Sequence, residues 1–242
     1  ESEDLSSLKI GGLLKTTLLD YPGKVACTIF TSGCSYKCPF CHNRDLVYIP
    51  ENYQFLDVDE IFQFLDKRKN ILDGVCISGG EPLMQEKLIP FLKEIKKRGY
   101  DIKLDVTGNY LDRLKEIVDA KLVDYIAMDV KNTKEKYALT VGSDAESFPV
   151  ESIDACISYI RTCGISYEFR TTIVRELHTK EDLVAMAKWL KGVNAWYLQQ
   201  FQDSPNCIQE GFHSYNKQEM LEILEAVKQY VPNAEVRGVK ED

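Results

Sequence analysis

An α/β fold on a parallel sheet is what this sequence predicts, from three observations. Short β-rich runs alternate with amphipathic helical stretches along all 242 residues, the pattern of repeated βαβ units. Several of the β-rich runs are almost continuously apolar, as strands covered on both faces must be. The distinctive motifs fall where strands end, and in such folds the C-terminal strand ends carry the chemistry. The count is about six βα units, fewer than the eight that close a TIM barrel, so the expectation is a partial, open TIM-type barrel with a curved parallel sheet.

In chain order the expected strands are Val25–Phe30, Gly74–Ser78, Asp101–Val106, Leu122–Val130, Tyr167–Val174 and Trp196–Phe201, rich in Val, Ile, Tyr and Phe. The helix expected over Val58–Lys69 carries Ile61, Phe62, Phe64 and Leu65 and has Asp57 or Asp59 as a cap. Leu88, Phe91, Leu92 and Ile95 recur at helical spacing over Leu88–Arg98, with Gly99 as the stop. Tyr110–Ala120, Val150–Cys163, Lys180–Lys191 and Lys217–Tyr230 read alike. The last has Asn216 as cap, Glu219 three residues on, and Pro232 beyond its end. No linker interrupts the series. One domain over 1–242 is expected, with a core at about 12–202 and a C-terminal helix and tail at 203–242.

Composition narrows the classes. A net charge of −8 disfavours a general nucleic-acid binder. The 44% apolar content suffices for a packed core, and no apolar run is long enough to span a membrane. The start, Glu1 to Lys9, is polar and carries no apolar signal segment, so the reducing cytoplasm is the expected location.

Eight cysteines are present, and three of them fall between Cys34 and Cys41 in the order C-x3-C-x2-C. Three thiolates on one short loop suit a single soft metal centre. Disulfides disagree with a reducing compartment. Two metal readings stay open on spacing alone: an iron–sulfur cluster, and structural zinc with His42 as a fourth ligand. A four-iron cluster held by three cysteines would keep one iron open for a small molecule. Cys27, Cys76, Cys156 and Cys163 lie in strand or helix patterns and read as buried structural thiols; Cys207, in a loop, has no assignment. His178 and His213 lie in polar segments and read as surface residues.

With Phe40 included, the loop is C-x3-C-x-aromatic-C, and here the chain resembles the radical S-adenosylmethionine (SAM) superfamily. Cys41-His42-Asn43 and Leu18-Leu19-Asp20-Tyr21-Pro22-Gly23-Lys24 narrow the likeness to glycyl-radical-enzyme activating enzymes. Within them, the chain is most similar to those serving anaerobic ribonucleoside-triphosphate reductase. The likeness runs from about Gly12 to Phe201.

The resemblance implies a [4Fe–4S] cluster on Cys34, Cys38 and Cys41, with SAM on the open iron. Phe40, Cys41 and His42 would lie beside the cofactor. Ser78-Gly79-Gly80-Glu81-Pro82 resembles the family's GGEP motif, whose glycines let the backbone approach the methionine amino group. Asp105 and Asp129 match acidic positions that line SAM and help hold a monovalent cation; the usual Thr after the first acid is replaced by Val106. Lys131 completes an Asp-Leu-Lys-like motif, here Asp129-Val130-Lys131. Arg170, in an apolar strand, needs a partner: the SAM carboxylate by resemblance, or equally a protein acid. Gln199, Gln200 and Gln202 stand near where pyruvate formate-lyase activating enzymes tend to carry histidine.

The implied activity is reductive cleavage of SAM to a 5′-deoxyadenosyl radical, fed by flavodoxin or ferredoxin, which makes a glycyl radical on a partner enzyme. The alternatives are an activase of another glycyl-radical enzyme, of pyruvate formate-lyase type, or a radical SAM enzyme acting on a small molecule. More distant is a zinc-stabilised binding protein without catalysis. No membrane or nucleic-acid partner is expected.

Overall fold

The computed structural model describes residues 3–241. It contains the strands β1 (Ile10–Thr17), β2 (Ala26–Thr31), β3 (Gly74–Gly79), β4 (Asp101–Val106), β5 (Tyr125–Asp129), β6 (Ser166–Ile173), β7 (Trp196–Gln200) and β8 (Ala234–Arg237). The helices are α1 (Arg44–Val47), α2 (Val58–Lys67), α3 (Leu88–Lys97), α4 (Leu111–Asp119), α5 (Tyr137–Thr140), α6 (Val150–Thr162), α7 (Lys180–Trp189) and α8 (Lys217–Lys228). Strand order in the sheet follows chain order, and β1 and β8 stand at its two ends without pairing to each other among the described residues, so the sheet is open, as the sequence predicts. The six expected strands and six expected helices are all present, with ends that agree to within three residues.

The chain divides into two compact units. The first comprises the residues up to Ser35, Asp45–Ala127 and Thr162–Ser166. In it β2, β3 and β4 run parallel, with Ile29, Ile77 and the matching Leu104 on one face and Thr28, Cys76 and Lys103 in register on the other. Four of the six β3 residues are buried, which explains why its sequence does not alternate. Against this sheet α2 and α3 pack Ile61, Leu65, Phe91 and Ile95, all at most 2% exposed. Asp57 caps α2 by accepting the Asp59 N–H at 2.8 Å, and Gly99 ends α3 at φ +81°.

One strand of this unit escapes sequence reading. β1 pairs antiparallel with β2, and the pairing is irregular on both sides of the Gly12–Leu14 stretch. Its Gly11-Gly12 pair and exposed Leu14 blur the alternation that marks a strand.

The second unit comprises Tyr36–Arg44, Met128–Arg161 and the residues from Tyr167 onward. β6, β7 and β8 are parallel in it. Its centre is a buried chain of hydrogen bonds: Trp196 Nε1 donates to Thr171 Oγ1 at 3.0 Å, and that hydroxyl donates to the Val130 carbonyl at 2.7 Å. α8 starts with a capping box in which Asn216 and Glu219 serve each other's N–H groups. The segment expected to be helix and tail adds β8, whose Arg237 reaches the buried carboxylate of Glu168 at 2.9 Å. Four residues are too few for a periodic signal. No helix among the described residues is long and apolar enough to cross a membrane.

Candidate cofactor site

In the first unit, three strand ends are tied together by hydrogen bonds. Leaving β2, the chain passes Thr31-Ser32-Gly33 to Cys34, and this approach is clamped. The Ser32 N–H donates to the Lys9 carbonyl at 2.9 Å, and Gln85 Nε2 donates to the Ser32 carbonyl at 2.8 Å. At the end of β3, the Gly80 N–H donates to Thr31 O at 3.0 Å and the Glu81 N–H to Gly33 O at 2.8 Å. A Cβ on Gly79 would lie 2.3 Å from Thr31 O, and one on Gly80 would lie 2.1 Å from Gly33 O and 3.2 Å from Cys34 Cβ. Gly79 also has φ +116°. Only glycine fits both places, so GGEP fixes the Cys34 loop by close approach.

The third strand end is joined by a side chain. Glu81, fully buried, accepts the Thr107 N–H on its Oε2 at 2.8 Å. Below it on β4, Lys103 Nζ lies 2.6 Å from Asp105 Oδ1. Among the described residues, Ser32 Oγ and Thr107 Oγ1 are buried without a hydrogen-bond partner. Orphaned hydroxyls are rare in folded proteins, and a polar ligand at these strand ends would answer them.

In the second unit, the loop carrying Cys38 and Cys41 is braced from two sides. The Lys37 N–H donates to Val141 O at 3.0 Å, and the Cys41 N–H to Cys38 O at 3.0 Å. From the other side, Ile208 N–H donates to Cys41 O at 3.1 Å and Gln209 N–H to Pro39 O at 2.8 Å. Cys207, unassigned by sequence, packs here: its Sγ is 3.8 Å from the Phe40 carbonyl and 3.7 Å from His42 Nδ1. The His42 ring stacks on Phe201 at 5.7 Å, and Phe40 is buried. Burial pushes the Cys38 thiol up to about 11, with Cys41 and Asp129 adding to the effect and Lys131 opposing it.

The same unit holds the remaining charged residues. Asp129, 36% exposed, lies 3.2 Å from Lys131 Nζ and 3.3 Å from Arg170 Nε. Burial raises its pKa, but the two cations outweigh that and hold the carboxyl below its usual range. Burial alone would depress Lys131, and Asp129 more than reverses it. Arg170 therefore has a protein acid as partner. Gln200 is committed to Tyr215 O at 2.8 Å and to the Lys240 N–H at 3.0 Å.

His178 corrects the surface reading of that residue. It is fully buried: Nδ1 accepts the Val174 N–H at 3.0 Å, so Nε2 donates to Lys131 O at 2.7 Å. The polar neighbours Thr179 and Asp182 that suggested a surface are the capping box of α7. His213 is exposed as expected and pairs with Glu176. Cys27, Cys76 and Cys156 are buried, as structural thiols should be, while Cys163 is half-buried just past α6.

The donor set suits an iron–sulfur cluster. All eight cysteines are free thiols, and Cys34, Cys38 and Cys41 lie on one loop whose backbone is held at both ends. A monovalent cation does not fit, because Asp105 already holds Lys103, and Asp129 already holds Lys131 and Arg170.

The chain thus carries a three-cysteine loop after the first parallel strand and a glycine pair after the next, as the enzymes it resembles do. A family model described as the radical SAM superfamily matches residues 28–190, and the chain belongs to that superfamily. Its similarity extends to glycyl-radical enzyme activating enzymes. A Methanocaldococcus jannaschii protein provisionally named as one is 30% identical over 239 residues, 95% of this chain and 96% of that one. Pyruvate formate-lyase-activating enzyme from Clostridium pasteurianum is 29% identical over 183 residues, 73% of each chain. Streptococcus suis SuiB, solved with bound S-adenosylmethionine, shares the fold at a TM-score of 0.67 and 13% identity over 85% of this chain. This chain spans about half of SuiB, 48% of its length.

Proposed function

We propose that this radical SAM enzyme activates a glycyl-radical enzyme, and that its protein substrate is an anaerobic ribonucleoside-triphosphate reductase. The observation that carries the reading is the backbone ladder from Thr31 and Gly33 to Gly80 and Glu81, which locks the cysteine loop to the glycine motif. Cys34, Cys38 and Cys41 would hold the cluster. When bound, the cluster and SAM together supply a 5′-deoxyadenosyl radical, which takes a hydrogen atom from the target glycine.

The chain's own residues position and exclude. Gly79 and Gly80 let the backbone meet the methionine amino group, and Phe40 and His42 flank the third cysteine. Asp105, fixed by Lys103, and Asp129, fixed by Lys131 and Arg170, would each present a charged group held in place to the cofactor. No side chain is required as a general base for this chemistry. Reduced flavodoxin or ferredoxin would supply the electron in the cytoplasm.

The likeness to pyruvate formate-lyase-activating enzyme favours a second reading, in which the substrate is an enzyme of that type. Against it stand Gln199, Gln200 and Gln202, where that branch tends to carry histidine. The test is anaerobic. Protein reconstituted with iron and sulfide is mixed with SAM, dithionite and each candidate glycyl-radical enzyme, and electron paramagnetic resonance (EPR) is recorded. A glycyl radical on the ribonucleotide reductase alone is the expected result. 5′-Deoxyadenosine without any glycyl signal would overturn the reading in favour of a small-molecule substrate.

A further inference from the structure

Lys103 is out of place in the core of the first unit. It is 1% exposed and stands opposite Cys76 of β3 in the strand register. Its Nζ donates to Asp105 Oδ1 at 2.6 Å and lies 3.8 Å from Cys76 Sγ, which in turn lies 3.8 Å from Asp105 Oδ2. A buried ammonium–carboxylate pair is a poor way to stabilise a core, since apolar residues of similar volume do as well or better. The pair is also not spread through the sheet. Lys103 and Asp105 are two residues apart on one face of β4, with the lysine deeper and the acid at the end where Glu81 holds Thr107. The strand thus delivers a fixed positive charge from below to the carboxylate at its cofactor end.

The second unit uses the same device. Asp129 is held by Lys131 at 3.2 Å and by Arg170 at 3.3 Å.

We infer that Lys103 is a positioning residue that does the work of a bound alkali cation at the cofactor end of β4. It fixes the orientation of Asp105 and makes SAM binding independent of sodium or potassium. The inference rests on the SAM-binding reading above.

The test uses the reconstituted full chain under anaerobic conditions. SAM affinity is measured by equilibrium dialysis and by the change SAM causes in the EPR spectrum of the reduced cluster. Buffers contain potassium, sodium or tetramethylammonium as the only cation. Wild-type affinity is expected to agree within about twofold across the three. Lys103→Met, which removes the charge but keeps the volume, is expected to retain its iron. It should lose about tenfold in affinity in tetramethylammonium and recover it in potassium or sodium, while Lys103→Arg stays near wild type. A purely structural lysine would show no such cation rescue. The inference is overturned if the wild type binds SAM only with an alkali cation, a result that needs no variant to fold. It is also overturned if Lys103→Met binds as tightly as wild type in tetramethylammonium. Wild-type protein that takes up iron but gives no SAM response in any buffer defeats the SAM reading itself, a distinct outcome.

Discussion

The carboxylate of Glu81, at the end of β3, accepts the backbone N–H of Thr107, just past the end of β4, at 2.8 Å with the acid wholly buried. A side chain here does what sheet pairing no longer does, since the paired register of the two strands ends at Ile77 and Leu104. Glu81→Ala would leave a buried N–H without a partner, which costs about 1–3 kcal/mol. Glu81→Gln keeps an acceptor oxygen and should cost less. Urea unfolding of the three proteins measures this order. An alanine variant as stable as the parent would show that the bond contributes nothing.

Gly80 is tested by one added carbon. Alanine there has ordinary backbone freedom, so any effect is steric, and the clash is with Gly33 O and Cys34 Cβ. Overpacking of this kind costs about 1–3 kcal/mol in stability. Because the displaced atoms belong to the cysteine loop, Gly80→Ala should also lower the iron bound per chain after reconstitution. If stability falls while iron content stays whole, the glycine supports the fold and not the cluster loop.

His178 makes a pH prediction. Burial holds its pKa below the ordinary value near 6.5, with its hydrogen bonds to Lys131 and Val174 opposing. The unfolded chain binds a proton there as pH falls through about 6.5, while the folded chain resists until lower pH. The residue's contribution to stability is therefore present above that pH and is lost on acidification. Thermal midpoints at pH 7.5 and 5.5 should fall further apart in the wild type than in His178→Gln. Equal differences in the two proteins would refute it.

Much of this was legible in the sequence, for physical reasons that differ by residue. β3 and α3 were readable because burial imposes a periodicity of its own on each. Asn216 with Glu219 marked the start of α8 because a capping box is a local device. The cysteine loop and GGEP were readable because their chemistry needs those residues at that spacing. β1 and β8 were not, because one is irregular and the other short, and only pairing partners far along the chain define them. The burial of His178 and Lys103 was hidden for a similar reason. A polar side chain shows its partner only after the chain folds, and the partners of His178 include a backbone carbonyl 47 residues away.

Cys207 supplies the sharpest check on ligand number. It is buried, its Sγ lies within 4 Å of both the Phe40 carbonyl and His42 Nδ1, and the next two residues hydrogen-bond to the cysteine loop. Of the five cysteines outside the motif, it is the one placed to compete as a fourth ligand. The motif reading assigns it none of that work: three thiolates bind, and the remaining iron is left to SAM. Cys207→Ala should therefore keep a full complement of iron and sulfide after anaerobic reconstitution. It should lose about 1 kcal/mol of stability from one missing buried sulfur. Alanine at Cys34, Cys38 or Cys41 should each abolish cluster binding, because two thiolates cannot retain a four-iron centre. Iron analysis with the visible spectrum near ~400 nm separates the cases. If Cys207→Ala loses iron as completely as Cys41→Ala, the cluster has four protein ligands and no open iron, and SAM cleavage by this chain would have no site at which to begin.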